Sequence, residues 1–230
     1  MSHLQRPAFA PVLAFSPAGS TLSRPARRDR WRAVAKRGID LVLSGALLAL
    51  AALPMALIAL AIRLETPGPA LFRQRRVGLH GRDFAVLKFR TMHGGADPAG
   101  VLRQATRDDP RVTRLGAVLR RLSIDELPQL LNVLRGEMSL VGPRPHAPGS
   151  CAAGRPFEVV ARDYAARHVV RPGLTGLAQV RGWRGETETE DKLRRRVESD
   201  LEYIETWSLR LDLRILLRTV PAVLHPTNAY

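Results

Sequence analysis

The chain has 230 residues and a formal net charge of +15, carried mainly by arginine. That length allows one domain with appendages, and the charge calls for anionic partners: nucleic acid, anionic lipid or phosphorylated substrates. Cys151 is the one cysteine, which excludes an internal disulfide and a cysteine-held metal cluster and fits a reducing compartment.

Residues 1–35 are rich in Pro, Ala, Ser and Arg without apolar periodicity and read as a disordered basic arm. They lack the continuous apolar run of a cleavable signal peptide. Leu41 to Ile62 is then uncharged for about 22 residues, enough to cross a bilayer. Two features argue against a plain span. Pro54, in the middle, removes a backbone hydrogen bond and bends a helix. Both flanks are basic: Arg27, Arg28, Arg30, Arg32, Lys36 and Arg37 precede the segment, and Arg63, Arg73, Arg75 and Arg76 follow it. Positive flanks stay on the cytoplasmic side. Residues 36–64 are therefore predicted to form a re-entrant helical hairpin that dips into the membrane, turns at Leu53-Pro54 and returns, leaving residues 65–230 as a cytoplasmic domain.

Thr66-Pro67-Gly68-Pro69 is a turn signal. Leu71 to Arg75 and Phe84 to Arg90 flank a loop containing Gly78 and Gly81, the pattern of a β-hairpin. In its second strand Leu87 and Phe89 share one face, and Lys88 and Arg90 share the other, about 7 Å apart. Such a pair of cations suits a diphosphate, and equally suits a solvated strand face. A helix is predicted from Val112 to Arg121, with Leu115, Val118, Leu119 and Leu122 on one stripe.

Ser123-Ile124-Asp125-Glu126-Leu127-Pro128 follows. Ser123 and Glu126 have capping-box spacing, while Pro128 favours a helix that begins there instead. Either start leaves Asp125 and Glu126 at a helix N-terminus, where the dipole favours an ionised carboxylate. That helix is expected to end at Gly136. In Val141-Gly142-Pro143-Arg144-Pro145-His146, prolines on both sides hold Arg144 extended, as a fixed phosphate contact requires. Further helices are predicted from Phe157 to Val170 and from Asp191 to Leu224. In the second, Trp207, Leu211 and Ile215 share a face beside Arg214 and Arg218, which fits a membrane-surface helix or burial against the core.

Four ordered motifs now stand out: Lys88-Phe89-Arg90-Thr91-Met92, Ser123-Ile124-Asp125-Glu126-Leu127-Pro128-Gln129, Val141-Gly142-Pro143-Arg144-Pro145 and Arg171-Pro172-Gly173-Leu174-Thr175-Gly176. Together they resemble the bacterial sugar transferases, monotopic polyprenyl-phosphate phosphoglycosyl transferases, over roughly Ala35 to Tyr230. The tract Gly182-Trp183-Arg184-Gly185-Glu186-Thr187-Glu188-Thr189 is similar to the branch that moves glucose 1-phosphate onto undecaprenyl phosphate for exopolysaccharide synthesis. Larger members carry extra transmembrane helices and a further domain, so the chain is expected to be a short form or an isolated catalytic unit. Two departures are visible: Leu53 precedes Pro54 where the family commonly has Ser, and Arg171 stands where many members have Lys.

The resemblance implies a mostly helical α+β fold that is membrane-monotopic, with a re-entrant helical hairpin, a small β-hairpin and amphipathic interfacial helices. It implies transfer in two steps at the cytoplasmic face of the bacterial inner membrane. Asp125 attacks a UDP-sugar and releases UMP, and undecaprenyl phosphate then takes the phosphosugar from the aspartate. Glu126 and Asp125 would hold Mg²⁺. Lys88, Arg90, Arg121, Arg144 and Arg171, with Pro143 and Pro145 shaping the loop, would bind phosphate. Galactose or an N-acetylhexosamine is an alternative sugar, and a UDP-releasing membrane glycosyltransferase an alternative reaction. The expected partners are the UDP-sugar, undecaprenyl phosphate and membrane lipids, with a homodimer allowed. No nucleic-acid partner is expected, because the apolar hairpin and the scarcity of aromatics argue against one.

Overall fold

The computed structural model describes residues 27–93 and 109–224. Its longest element is α1 (Arg27–Glu65), which contains Pro54 without interruption. The helix begins inside the stretch expected to be a disordered arm. Residues 27–35 are rich in Arg and Ala, both strong helix formers, and they extend the apolar helix backward; the rest of the arm lies outside the described residues. The outer surface of α1 is apolar and uncovered: Leu50, Leu53 and Leu64 are each at least 70% exposed.

One folded body holds both ends of α1. Near its start, Arg37 donates to the carbonyls of Val133 (2.7 Å) and Leu134 (3.1 Å). Asp40, buried, accepts from Ser139 Oγ at 2.8 Å and from the Leu140 amide at 3.1 Å. Near its end, Ile62 packs with Phe89 and Leu119, and Glu65 accepts from the Leu115 amide at 3.0 Å.

The antiparallel hairpin β1 (Leu71–Val77) and β2 (Asp83–Phe89) pairs Leu71 with Phe89 and Arg76 with Phe84. Leu87 and Phe89 are buried, as their alternation requires. After α2 (Arg114–Arg121), a single 3₁₀ turn (Ile124–Glu126) leads into α3 (Gln129–Arg135), which ends on left-handed Gly136. The capping box does not form. Ser123 has φ 56°, and its side chain caps nothing, because a capping residue needs extended backbone. The helix starts just after Pro128.

β3 (Ser139–Val141) pairs in parallel with the later β6 (Gly173–Thr175). Between them lie the small hairpin β4 (Cys151–Ala152) and β5 (Arg155–Pro156), the short α4 (Phe157–Val160) and a 3₁₀ segment (Tyr164–Val169). The helix expected from Phe157 to Val170 is thus broken at Ala161, which is extended. Pairing of β3 with β6 sets the Gly142-Pro143-Arg144 and Pro172-Gly173 motifs side by side. Gly142 N donates to Thr175 O and Gly173 N to Pro143 O, each at 2.9 Å. A methyl on Gly173 would lie 2.1 Å from Gly142 N, so no other residue fits there.

α5 (Leu177–Val180), α6 (Glu190–Glu205) and α7 (Leu209–Leu224) complete the chain. α6 and α7 replace the one long helix expected, with the break at Thr206. Trp207, Leu211 and Ile215, whose spacing also fits a membrane face, pack on the main core of Val86, Leu130, Val133, Met138, Leu140 and Leu177. The exposed apolar residues of α7 are Leu213, Leu217 and Val220.

Candidate active site

Asp125 and Glu126 sit in the 3₁₀ turn on the wall of an open cleft of about 1960 Å³. The two carboxylates are in different situations. Glu126 Oε1 accepts from Lys88 Nζ at 2.6 Å and from Arg144 Nη2, and its Oε2 accepts from Arg144 Nη1 at 3.0 Å. Its burial alone would raise its pKa, but Arg144 and Lys88 outweigh burial and hold it well below the usual carboxylate range. Asp125 receives no hydrogen bond from the described residues, and its near cation is Lys88 Nζ at 3.9 Å. Burial pushes its pKa up to about 6, with Lys88, Arg120 and Arg144 pulling the other way and Glu126 adding to the rise. Asp125 does sit just ahead of α3, as expected, but burial is the largest influence on its carboxyl and raises its pKa.

This division suits covalent chemistry. Glu126 fixes the cations, while Asp125 keeps an unencumbered oxygen on the cleft wall, as a nucleophile must. Mg²⁺ needs only one or two protein carboxylates when phosphate oxygens complete its shell, and the adjacent pair would be the residues to hold it. Asp125 has the open oxygen; Glu126 would exchange a hydrogen bond from Lys88 or Arg144 for the metal.

The other expected site residues separate into two groups. Lys88, Arg144 and Pro145 line the cleft with the carboxylates. Pro143 is buried beneath them, its carbonyl taken by Gly173. Arg90 also lines the cleft, but its guanidinium donates to the carbonyls of Pro67 (2.6 Å), Thr66 (2.8 Å) and Ile62 (3.3 Å), closing the C-terminus of α1. Arg121 and Arg171 are exposed and lie outside the cleft lining, with Arg171 Nε donating to Gly136 O at 2.8 Å. Leu53 and Pro54 lie on exposed α1, away from the cleft.

Sequence reasoning missed Arg76, Arg120, His146 and Arg184, which all line the cleft. Arg120, one residue from the expected Arg121, donates to Thr91 Oγ1 at 2.8 Å and faces Asp125. The register of α2 decides between the two. Arg76 shares the Lys88 face of the hairpin, a signal that β1 alternation could have given.

The rest of the lining is of two kinds. Leu47 of α1 and Leu216, Val220 and Val223 of α7 are apolar; Ser150 and the run Arg184 to Glu188 are polar. A cleft with both linings can admit a hydrocarbon tail and a polar head. Residues 31–226 match the bacterial sugar transferase family. The chain belongs to that family.

Three relatives give the family members scale. A UDP-glucose:undecaprenyl-phosphate glucose-1-phosphate transferase of Caulobacter vibrioides is 58% identical over 195 residues, 85% of this chain and 72% of the relative. An Escherichia coli protein of the same name is 49% identical over 185 residues, 80% of this chain but 39% of the relative. The exopolysaccharide production protein PSS of Rhizobium leguminosarum is 46% identical over 187 residues, 81% of this chain and 94% of the relative. This sugar transferase thus spans most of some relatives and about two fifths of others.

Proposed function

We propose that the protein transfers glucose 1-phosphate from UDP-glucose to undecaprenyl phosphate, releasing UMP, as the first membrane step of exopolysaccharide synthesis. The observation that carries this is the open oxygen of Asp125 beside a Glu126 already gripped by Lys88 and Arg144. The names of the similar glucose-1-phosphate transferases supply the sugar and the lipid.

In the first step Asp125 attacks the sugar-bearing phosphate and UMP departs, leaving the sugar phosphate on the aspartate. Undecaprenyl phosphate then displaces the aspartate. Splitting the exchange in two lets one cleft serve a soluble donor and a lipid acceptor in turn. Lys88, Arg120 and Arg144 stand where negative charge accumulates during each displacement. Mg²⁺ held by Asp125 and Glu126 with phosphate oxygens would neutralise further charge on the diphosphate.

The proposed membrane topology is supported by α1. From Asp40 to Ile62 the helix rises about 33 Å, close to the roughly 30 Å of a hydrocarbon core. A full crossing would set those residues on opposite sides, yet both are bonded to one folded body. In this proposal α1 bends at Pro54 and enters and leaves a single leaflet, and the basic flanks favour the cytoplasmic face for the body.

The deciding experiment incubates wild type and Asp125→Asn with UDP-glucose and undecaprenyl phosphate. UMP release by wild type, abolished in the variant, is expected; UDP as the product, or full activity of Asp125→Asn, would refute the proposal.

A further inference from the structure

His146 and Arg184 carry unfinished hydrogen bonding beside the carboxylate pair. Arg167 Nη1 lies 2.7 Å from His146 Nδ1. A guanidinium can only donate, so Nδ1 accepts and carries no proton. Burial, then Arg167, Arg196, Arg76 and Arg144, hold the ring's pKa well below the usual histidine value, so the ring is neutral. A neutral ring without a proton on Nδ1 has it on Nε2. That Nε2–H is buried and has no partner among the described residues, and His146 lines the cleft. Arg184 Nη2 is likewise buried and unpartnered on the same cleft. Arg76 is the third member, its pKa lowered to about 10 by burial and by Arg144.

The placement of these groups points to one part of a diphosphate. Lys88 Nζ lies 3.9 Å from Asp125, and Arg144 grips Glu126 beside it. Arg76 Nη1 donates to Pro145 O at 3.4 Å, next to His146 on the Arg144 loop, and Arg184 lines the same cleft. Arg76, His146 and Arg184 form a second set of donors, none of them bonded to Asp125. In phosphoryl transfer the attacking and leaving oxygens lie roughly in line with phosphorus. With Asp125 attacking, the leaving phosphate must project away from it, toward the second set.

We propose that Arg76, Arg184 and the Nε2–H of His146 form a subsite for the phosphate of the departing nucleoside monophosphate. The assignment presupposes the transfer reaction proposed above. As the bond from an Asp125 carboxylate oxygen to phosphorus forms, the bond from phosphorus to the bridging oxygen breaks. Its electron pair stays on the nucleotide phosphate, which leaves with one more negative charge; no proton transfer is required. Two guanidiniums and a neutral N–H donor stabilise that charge. The two unpartnered atoms are screened from solvent, so a phosphate reaches them by displacing a neighbour. Arg184, in the irregular stretch between α5 and α6, is the side chain placed to swing.

The test measures UMP and uridine binding calorimetrically on detergent-solubilised wild type, Arg184→Gln and His146→Asn, with the steady-state KM for undecaprenyl phosphate alongside. UMP should bind about ten- to a hundredfold more weakly to both variants, as for lost hydrogen bonds to a charged group. Uridine binding and the lipid KM should stay within about twofold of wild type. Should His146→Asn fail to fold, the partly exposed Arg184→Gln decides. Unchanged UMP affinity in Arg184→Gln overturns the subsite, as does a parallel loss of uridine, which would place these residues on the base or ribose. A raised lipid KM with intact UMP binding overturns it too, assigning the groups to the acceptor phosphate. If wild type releases no UMP from UDP-glucose, the transfer proposal itself fails, whatever the variants bind.

Discussion

Arg167 Nη2 donates to the backbone carbonyl of Arg144 at 2.7 Å, from a guanidinium that is only 1% exposed. Its Nε donates to Asp200 Oδ2 at 3.0 Å and its Nη1 reaches His146. One buried side chain thereby ties α6 to the Arg144 loop, and Arg144 in turn grips Glu126. Arg167 touches no reacting atom; it is a positioning residue.

Removing one partner of a buried ion pair costs about 3–5 kcal/mol, because the other charge stays buried alone. Asp200→Ala should therefore lower the unfolding midpoint strongly. Arg167→Lys keeps the charge but cannot fork between three acceptors. It should fold, with kcat reduced about tenfold or more and substrate KM changed less. Wild-type kcat in a folded Arg167→Lys protein would show that Arg144 holds its place unaided.

Asp125 gives the pH dependence its sign. As the proposed nucleophile it would act in its ionised form, and burial raises its pKa to about 6. Activity should climb as pH rises through about 6 and level off above it, with Glu126 ionised throughout because its pKa is held low. Lys88 lowers the Asp125 pKa, so Lys88→Gln should shift the acid limb to higher pH besides lowering the plateau. The measurement is kcat/KM for UDP-glucose against pH in both proteins.

The motifs on local signals were legible before folding: the hairpin from its alternation, the α3 terminus from Gly136, the carboxylate pair from its setting among basic motifs. What could not be read depended on long-range partners. Arg90 has the spacing of a phosphate ligand, yet three carbonyls, from Ile62 in the last turn of α1 and from Thr66 and Pro67 just after it, claim it. Choosing Arg120 over Arg121 requires the register of α2 against Thr91. The core-facing placement of Trp207, Leu211 and Ile215 needs the β3–β6 layer, formed by residues over thirty positions apart.

Glycine substitutions separate tight contacts from open ones. A methyl on Gly116 would meet Thr91 O at 2.2 Å, and one on Gly142 would meet Arg171 O at 2.5 Å. Both are backbone atoms, so Gly116→Ala and Gly142→Ala should each cost about 1–3 kcal/mol or more and leave less folded protein. A methyl on Gly38, in α1, would have nothing within 4 Å. Gly38→Ala should be neutral or stabilising by up to about 1 kcal/mol. Thermal unfolding in detergent compares all three.

The outer face of α7 makes the last prediction. Leu213 and Leu217, one helical turn apart, are 58% and 66% exposed, and Arg210, Arg214 and Arg218 run beside them. The inner residues of the same helix line the cleft. Apolar residues edged by arginine fit a helix resting at the headgroup boundary of an anionic membrane. Burying the exposed part of each leucine would contribute about 1–2 kcal/mol to such docking. Leu213→Ser with Leu217→Ser should leave folding intact, since neither side chain packs on the core. With undecaprenyl phosphate in vesicles, the acceptor KM should rise several-fold, because the cleft mouth no longer sits at the lipid surface. With a short-chain, water-soluble polyprenyl phosphate the rate should match wild type, since no docking is needed to meet that acceptor. Equal losses on both acceptors would instead place the two leucines in the fold of the cleft wall.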